Sequence, residues 1–168
     1  MKANYLPAIV EFYKYLSLGL SKSADQIPPL LLRLILAYEF WEAGVMKYGG
    51  KNWFNNLSFS LPFNLFSNDV LWFMSTWVEI IGALALVLGF GTRIFSLLLI
   101  VLTIVAIQTV HWSSDWTSLA ELWQGYAISD KGYGNYKLPL LYLIMFMPLL
   151  FGGAGRWSLD YLVNKYYT

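Results

Sequence analysis

Residues 70–89 read VLWFMSTWVEIIGALALVLG, an apolar run whose only charged residue is Glu79, near its middle. At 1.5 Å per residue, a helix of this length spans roughly 30 Å, the thickness of the hydrocarbon core of a bilayer. Residues 28–48, PPLLLRLILAYEFWEAGVMKY, form a second run of similar length, with Glu39 near its middle. A carboxylate at that depth is costly and usually faces the interior of a helix bundle. Both acids are therefore candidate functional groups.

The composition of the whole chain is that of a membrane protein, so we expect a lipid bilayer around it. Of its 168 residues, 58% are hydrophobic and 12% are charged, whereas a soluble domain carries about 25% charged residues. The net charge of +1 gives no electrostatic indication of nucleic-acid binding. The chain has no cysteine, which excludes disulfides, thiolate metal sites and iron–sulfur clusters within it.

Two further apolar runs follow, TRIFSLLLIVLTIVAIQTVH and LPLLYLIMFMPLLFGG. The short link Gly89-Phe90-Gly91 predicts that the second and third runs are antiparallel neighbours. We predict one all-α domain covering residues 1–168, a four-transmembrane-helix bundle. Its spans are about 28–48, 70–89, 92–111 and 138–153.

Residues outside the spans also have helical character. Apolar side chains recur at helical spacing over residues 8–20, which predicts an N-terminal amphipathic helix lying in the membrane interface. Ser118 and Glu121 have the spacing of a capping box, which predicts a short helix in the second outer loop, 112–137. Residues 131–135, KGYGN, predict a turn that leads into the fourth span.

The distribution of lysine and arginine predicts the orientation of the bundle. Seven of these residues fall on the side that holds both termini and four fall on the other side. The positive-inside rule then places both termini in the cytoplasm. Loops 49–69 and 112–137 face outward and carry Trp53, Trp112, Trp116 and Trp123.

The candidate catalytic residues are Glu39, Glu42 and Glu79. Glu39 and Glu42 are three residues apart and share one helix face. We expect Glu39 and Glu79 near the midplane, where burial in hydrocarbon favours neutral, proton-carrying carboxyl groups. Such groups can relay protons, bind a quinone head group, or bind a cation together with His111. The structural alternative is that they hydrogen-bond across helices and fix the packing.

The candidate substrate-binding residues are Arg33, Lys47, Arg93, Gln108 and His111. Gln108 and His111 lie at the outer end of the third span and, with the acids, predict a polar track toward mid-membrane. Arg33 and Arg93 have a simpler interpretation as anchors at the cytoplasmic edge. Lys47 likewise has a simpler interpretation as an interfacial residue whose ammonium reaches toward water.

No resident metal or cofactor is expected. His111 is the only histidine, so a bis-histidine haem site is excluded. Met145 and Met147 are two residues apart on one helix and point to nearly opposite faces, which argues against direct copper binding. No zinc motif and no dinucleotide fingerprint occur in the sequence.

Several motifs, taken in order, are similar to those of a known family. They are Arg33 with Phe40, Gly44 and Lys47; Glu79 and Gly82 followed by LGFGTR at 88–93; and GGAGRWSLD at 152–160. Together they resemble the DoxX/DoxD-like integral membrane family over residues 29–162. Residues 107–112, IQTVHW, are similar to the HvfX-like branch, which is associated with copper-binding modified peptides.

The resemblance implies a four-helix protein of the bacterial inner membrane that serves as a subunit or accessory of a redox system. One family member is a subunit of thiosulfate:quinone oxidoreductase. The positions of this chain that match the pattern are Arg33, Gly44, Lys47, Glu79, Gly89, Arg93 and Asp160. The chain departs from the pattern in its long outer loop, 112–137, and in the additional acids Glu39 and Glu42.

Three functions follow as hypotheses. The first is a quinone-linked redox accessory subunit in which Glu79 and Glu39 handle protons, so that as an enzyme it is at most a subunit of a membrane oxidoreductase. The second is a non-catalytic assembly or maturation factor whose outer loops dock a membrane or periplasmic partner enzyme or peptide, including one of copper-peptide maturation. The third is a small proton or cation transporter, which with four spans per chain requires a homo-oligomer.

Overall fold

The structure, a computed structural model, describes residues 6–112, 117–126 and 135–167. Its regular structure is helical, with no β-strand in these three ranges, which confirms the predicted all-α class. Trp116 and residues 131–134 of the predicted turn lie outside the described residues.

Seven α-helices are found in the described ranges. They are α1 (Leu6–Ser23), α2 (Ile27–Gly49), α3 (Asn68–Leu88), α4 (Thr92–Ala106), α5 (Leu119–Tyr126), α6 (Lys137–Gly152) and α7 (Leu159–Tyr167). Two short 3₁₀ helices, Phe54–Asn56 and Phe63–Leu65, lie between α2 and α3. A π-helical turn, Ile107–His111, continues α4.

Four of the helices form a bundle. α2 packs against α3, α3 against α4, α4 against α6, and α6 against α2. For helices that lie in a bilayer, close packing of side chains and hydrogen bonds between the helices supply the stabilisation. The core comprises Leu36, Ala37, Phe40, Ala83, Leu86, Leu99, Ile100, Phe146 and Leu149.

The bundle has two ends with different connections. The end that carries α1, the α3–α4 turn and α7 is called the terminal end here. The opposite end carries the segment 50–67 and α5 and is called the loop end.

The α3–α4 turn at the terminal end needs glycine. Gly89 and Gly91 have φ angles of 64° and 57°, in the left-handed region that other residues rarely adopt. A Cβ atom on Gly89 would overlap Nη1 of Arg33 and would lie 2.5 Å from Cβ of Ser158. The turn therefore holds α3 and α4 as the predicted antiparallel neighbours, with α2 and the C-terminal segment packed tightly on it.

The four predicted spans each coincide with a bundle helix. Within the described residues, two segments are long and apolar enough to cross a bilayer, Asn68–Leu88 and Thr92–His111. α6 is apolar but has 16 residues, and α2 has 23 residues but carries two acids and two basic residues. Length and composition thus make two of the four bundle helices candidate membrane spans, and the four-span arrangement stays a prediction.

Helices outside the bundle agree in part with the sequence predictions. The N-terminal helix is present as α1, and its apolar side chains Ile9 and Phe12 are 63% and 72% exposed. The capping box is confirmed, because Glu121 accepts hydrogen bonds from the backbone N–H groups of Thr117 and Ser118 at 2.6 and 3.2 Å. α7 was not predicted.

Candidate functional site

The centre of the candidate site is an ion pair between α2 and α3. Nζ of Lys47 lies 2.5 Å from Oε1 of Glu79, and the two side chains are 14% and 3% exposed. The second carboxylate oxygen of Glu79, Oε2, is buried and has no hydrogen-bond partner among the residues that the structure describes. The prediction that the Lys47 ammonium reaches toward water is wrong, because it turns inward to this buried carboxylate.

Gly44 brings the two helices close enough for this pair. It lies one turn before Lys47 on α2, on the face that packs against α3. A Cβ atom at Gly44 would lie 2.7 Å from Cγ1 of Ile80 and 3.1 Å from Cβ of Glu79. Because the glycine has no side chain, the backbone of α2 approaches Glu79 directly.

Aromatic side chains cover the ion pair at the loop end. Phe54 is buried, and its ring centre lies 5.8 Å from Nζ of Lys47, within the range of a cation–π interaction. Its ring contacts those of Trp53, Phe59 and Trp72 at centroid distances of 4.9, 5.3 and 5.1 Å. These four side chains, Trp53, Phe54, Phe59 and Trp72, are called the aromatic cap below.

Glu39 takes part in a different pair, between α2 and α6. The Tyr142 hydroxyl donates a hydrogen bond of 2.5 Å to Oε2 of Glu39. Glu42 is exposed, and its charge acts on the same hydroxyl. Phe40, buried beside this pair, contacts the rings of Tyr142 and Phe146.

The predicted acids therefore belong to two groups at different heights along α2. Gly44, which lies against Glu79, is five residues from Glu39, or about 7.5 Å along the axis of α2. The antiparallel register of α2 and α3 sets Glu79 opposite Gly44 and Lys47, so the structure does not bring Glu39 and Glu79 together. Their placement near the membrane midplane stays a prediction.

Arg33 lies at the terminal end, inside the bundle. It is 0% exposed. Its Nη1 donates to the carbonyls of Leu86 and Val87 at 3.1 and 3.3 Å, and its Nη2 donates to the carbonyl of Trp157 at 2.5 Å. The guanidinium thus supplies donors to carbonyls at the end of α3, where that of Leu86 also accepts from the N–H of Gly89 at 3.2 Å. Its interpretation as an anchor at the membrane edge is wrong, because it is buried among backbone carbonyls.

Asp160 has the complementary role at the start of α4. Its two carboxylate oxygens accept hydrogen bonds from the backbone N–H groups of Gly91 and Thr92 at 2.7 and 2.9 Å. Its own N–H donates to the carbonyl of Gly89 at 2.9 Å. A carboxylate at a helix N-terminus is favoured by the helix dipole, so Asp160 joins α7 to the α3–α4 turn.

The remaining candidates lie apart from these contacts. Arg93 is exposed, and its Nη2 donates to the carbonyl of Phe151 at 3.1 Å. Gln108 and His111 fall on the π-helical turn, where Gln108 is exposed and His111 is half-buried. The backbone N–H of Asn135 donates to the His111 carbonyl at 2.9 Å. Substrate binding by Arg93, Gln108 and His111 stays a prediction.

Sequence reasoning missed two components of the site. Tyr142 is the only residue of the fourth apolar run with an ionisable side chain, which was a usable signal. The aromatic cap had no such signal, since its four members do not form a local pattern in the sequence. Within the three described ranges, no cluster of three or more histidine, aspartate or glutamate side chains is arranged to hold a metal ion.

Comparison with known proteins identifies the family. The family model for DoxX matches residues 29–112, which include Arg33, Gly44, Lys47 and Glu79. The chain belongs to the DoxX family. An uncharacterized protein of Haemophilus influenzae is 39% identical to this DoxX protein over 140 residues, 82% of this chain and 84% of the relative. No solved structure matches it.

The part of the chain that matches the family model contains the ion pair. The matched region begins at the start of α2 and ends after the π-helical turn, so it contains the whole Lys47–Glu79 site and excludes Tyr142. DoxX proteins are membrane-associated, and the apolar helices of this DoxX protein agree with a lipid environment. The similarity to the HvfX-like branch stays a prediction.

Proposed function

We propose that this DoxX protein is a quinone-linked accessory subunit of a membrane redox system, in which buried carboxylates handle protons. The observation that carries the proposal is Oε2 of Glu79, a buried carboxylate oxygen without a partner beside the Lys47 ammonium. A buried polar group of this kind is costly unless a ligand or a proton completes it. Oε2 of Glu79 can therefore accept a hydrogen bond at this site, and the Lys47 ammonium can donate one.

The chemistry of quinone reduction fits this pair of groups. Conversion of a quinone to a quinol takes up two electrons and two protons, one proton at each carbonyl oxygen. Lys47 can donate a hydrogen bond to a quinone oxygen, and Glu79 can accept one from a quinol hydroxyl or carry the proton. A partner protein or a diffusible donor supplies the electrons, since this chain has no cysteine and one histidine.

The aromatic cap supports a flat ligand at this position. Phe54 presents its ring beside the ion pair, and the ring of Trp72 packs against it at a centroid distance of 5.1 Å. Aromatic faces and edges favour ring ligands in offset or edge-to-face arrangements. Trp53 is 42% exposed and stands at the outer edge of the cap, where a ligand would enter.

The Glu39–Tyr142 pair is proposed as a second proton-handling group. The Tyr142 hydroxyl is hydrogen-bonded to a half-buried carboxylate, and Glu42 extends the acidic face to the exposed side of α2. Carboxyl and phenol groups in one hydrogen-bonded chain can pass protons. Protons would then reach the protein interior from the bundle surface.

The same proposal includes the membrane arrangement. All four bundle helices cross the bacterial inner membrane and both termini are cytoplasmic. α2 directs Arg33 and Lys47 inward, where each has partners. α6 spans about 24 Å as a helix of 16 residues, and a bilayer thins locally around a short helix.

Topology can be tested because the natural chain has no cysteine. Ser17→Cys places a thiol on α1, and Ser60→Cys places one at the loop end. A membrane-impermeant maleimide should label Ser60→Cys in intact spheroplasts and Ser17→Cys only after the membrane is opened. Labelling of Ser17→Cys from outside would contradict the proposed orientation.

Quinone binding can be tested by tryptophan fluorescence in nanodiscs titrated with decylubiquinone. Wild type should show saturable quenching, and Glu79→Gln should weaken the apparent affinity by about tenfold, which is 1.4 kcal/mol. Glu11→Gln removes an exposed acid on α1 and serves as the control. Identical titrations for wild type and Glu79→Gln would remove the proposal. Glu79-dependent proton flux in proteoliposomes without quinone would favour the transporter instead.

A second candidate function, docking of a partner enzyme or peptide, is supported by the loop end. Leu61 and Leu65 are 72% and 74% exposed, and Phe66 is 50% exposed. A photo-crosslinking residue at Leu65 should capture one defined protein in the native membrane if this surface docks a partner. Crosslinks to lipid alone would count against it, and they would leave the quinone titration unaffected.

A further inference from the structure

A groove of about 920 Å³ opens at the terminal end of the bundle. The start of α2, the α3–α4 turn, the end of α6 and α7 surround it, so it lies at the opposite end from the Lys47–Glu79 pair. Its walls are largely apolar. The apolar lining includes Pro28, Pro29, Leu32, Phe90, Ile94 and Pro148.

Two arginines give the groove a positive character. Arg93 is exposed and donates from Nη2 to one carbonyl, that of Phe151. Arg156 is 54% exposed at its side chain, and its Nη2 lies 3.8 Å from Oδ2 of Asp25. Asp160, the other acid in the lining, has both oxygens hydrogen-bonded to backbone N–H groups. Of the two acids in the lining, Asp25 is therefore the one whose carboxylate remains as a counter-charge to the two exposed guanidinium groups.

Glycines keep the floor of the groove open beside these arginines. Gly153 and Gly155 have φ angles of 84° and 77°, which only glycine adopts without strain. A Cβ atom at Gly153 would lie 3.6 Å from Nε of Arg93. The backbone at this position therefore leaves the guanidinium of Arg93 uncovered.

We propose that this groove binds an anionic phospholipid, with Arg93 and Arg156 on its phosphate and the apolar wall along its acyl chains. Guanidinium groups bind phosphate oxygens in bidentate geometry. The apolar wall favours a lipid over free phosphate, because free phosphate gains nothing from apolar contact.

The position of the groove also favours a lipid. It lies where α2 begins and α6 ends, the level at which the head groups of a bilayer meet a membrane-crossing bundle. α1 leads into it, since Ala24 and Asp25 directly follow α1 and line the groove. The exposed apolar side chains Ile9, Phe12 and Leu16 suit α1 to the same interface.

The test is retention of lipid by the full-length protein in native mass spectrometry. Phosphatidylglycerol and phosphatidylcholine with identical acyl chains are offered in equal amounts. Wild type should retain phosphatidylglycerol about tenfold better, and the double variant Arg93→Gln with Arg156→Gln should lose that preference. Lys14→Gln with Lys165→Gln removes the same charge from exposed positions outside the groove lining, and it should keep the preference.

Two results would overturn the proposal. One is equal retention of both lipids by wild type, a measurement that does not depend on the folding of any variant. The other is displacement of the retained lipid by millimolar inorganic phosphate, which would identify a phosphate site with no need of a lipid. Replacement of both arginines by lysine keeps the charge, so a preference intermediate between wild type and the glutamine variant supports bidentate binding.

Discussion

The two ends of the bundle bury charged side chains in different ways. At the terminal end, Arg33 donates to three backbone carbonyls and leaves only Nε without a partner, while Asp160 accepts two backbone N–H groups. At the loop end, Glu79 is bonded to a side chain, that of Lys47, and one carboxylate oxygen has no partner.

This difference indicates that Arg33 and Asp160 have structural roles and that Glu79 is a candidate functional group. Backbone groups at helix ends are fixed, so charges bonded to them hold helices together and have little freedom to exchange partners. A carboxylate held by one flexible lysine can gain or lose a proton, or accept a ligand, without breaking a helix. The partners of a buried charge, rather than its burial alone, therefore indicate whether it is a candidate for chemistry.

The strongest test of this contrast is Arg33→Met. It leaves the carbonyls of Val87 and Trp157 without this donor and that of Leu86 with the N–H of Gly89 alone, so the free energy of unfolding should fall by about 4 kcal/mol. Thermal unfolding in detergent measures the change. Arg93→Met removes an exposed arginine with one carbonyl partner and should cost less than about 1 kcal/mol. Equal losses for the two variants would contradict the structural role of Arg33.

Lys47→Met should have the next largest effect. It leaves the buried carboxylate of Glu79 without its counter-ion and should lower the free energy of unfolding by about 3 kcal/mol in the same measurement. The double variant with Glu79→Gln should recover most of that loss, because a neutral amide needs no counter-charge. Additive losses from the two substitutions would show that the ion pair is not coupled in the way the structure requires.

Gly44 and Gly49 form a matched pair on α2. Gly44→Ala should cost about 2 kcal/mol, because the new methyl group meets Ile80 and the Cβ atom of Glu79. Gly49 has no atom within 4 Å of an added Cβ, so Gly49→Ala should be neutral or stabilise the protein by up to about 1 kcal/mol. Chemical denaturation of both variants gives the comparison, and a neutral Gly44→Ala would dispute the close approach of α2 and α3.

The smallest expected effect is local and concerns α5. Hydrogen bonds from Thr117 and Ser118 hold the pKa of the exposed Glu121 carboxyl below its usual range. A lowered pKa in the folded state adds stability above the unfolded pKa, and that stability is lost as the pH falls through the folded value. Amide exchange in α5 should therefore be less protected in acid. Glu121→Gln should remove this pH dependence, and an unchanged profile would argue against the capping box.

The sequence was sufficient to predict α1 to α6 because apolar runs, a glycine turn and a capping box are all local patterns. Helix partners are not local. The pairing of Glu79 with Lys47 depends on the rotation and register of α2 against α3, and that of Glu39 with Tyr142 joins residues 103 positions apart. The burial of Arg33 cannot be predicted from its neighbours in the sequence, since a buried and an exposed arginine at the edge of a span look alike there.

One missed element did have a local signal. Ser158 precedes α7, and its Oγ accepts a hydrogen bond of 3.1 Å from the backbone N–H of Tyr161. A serine followed by Asp160 in the first helical turn is a typical helix start. The π-helical turn Ile107–His111 had no signal of this kind, because its residues also suit an ordinary helix.

The three-residue turn between α3 and α4 bears on how the chain enters the membrane during synthesis. Three residues reach about 10 Å when extended, far less than the bilayer core, so α3 and α4 must insert together as a hairpin. In the proposed arrangement α2 also crosses the bilayer and is synthesised first, yet Arg33 and Lys47 would each cost about 3 kcal/mol in lipid without partners. Those partners, the carbonyl of Leu86 and the carboxylate of Glu79, arrive with the hairpin. A nascent chain released at residue 67 should therefore fail to hold α2 in the bilayer.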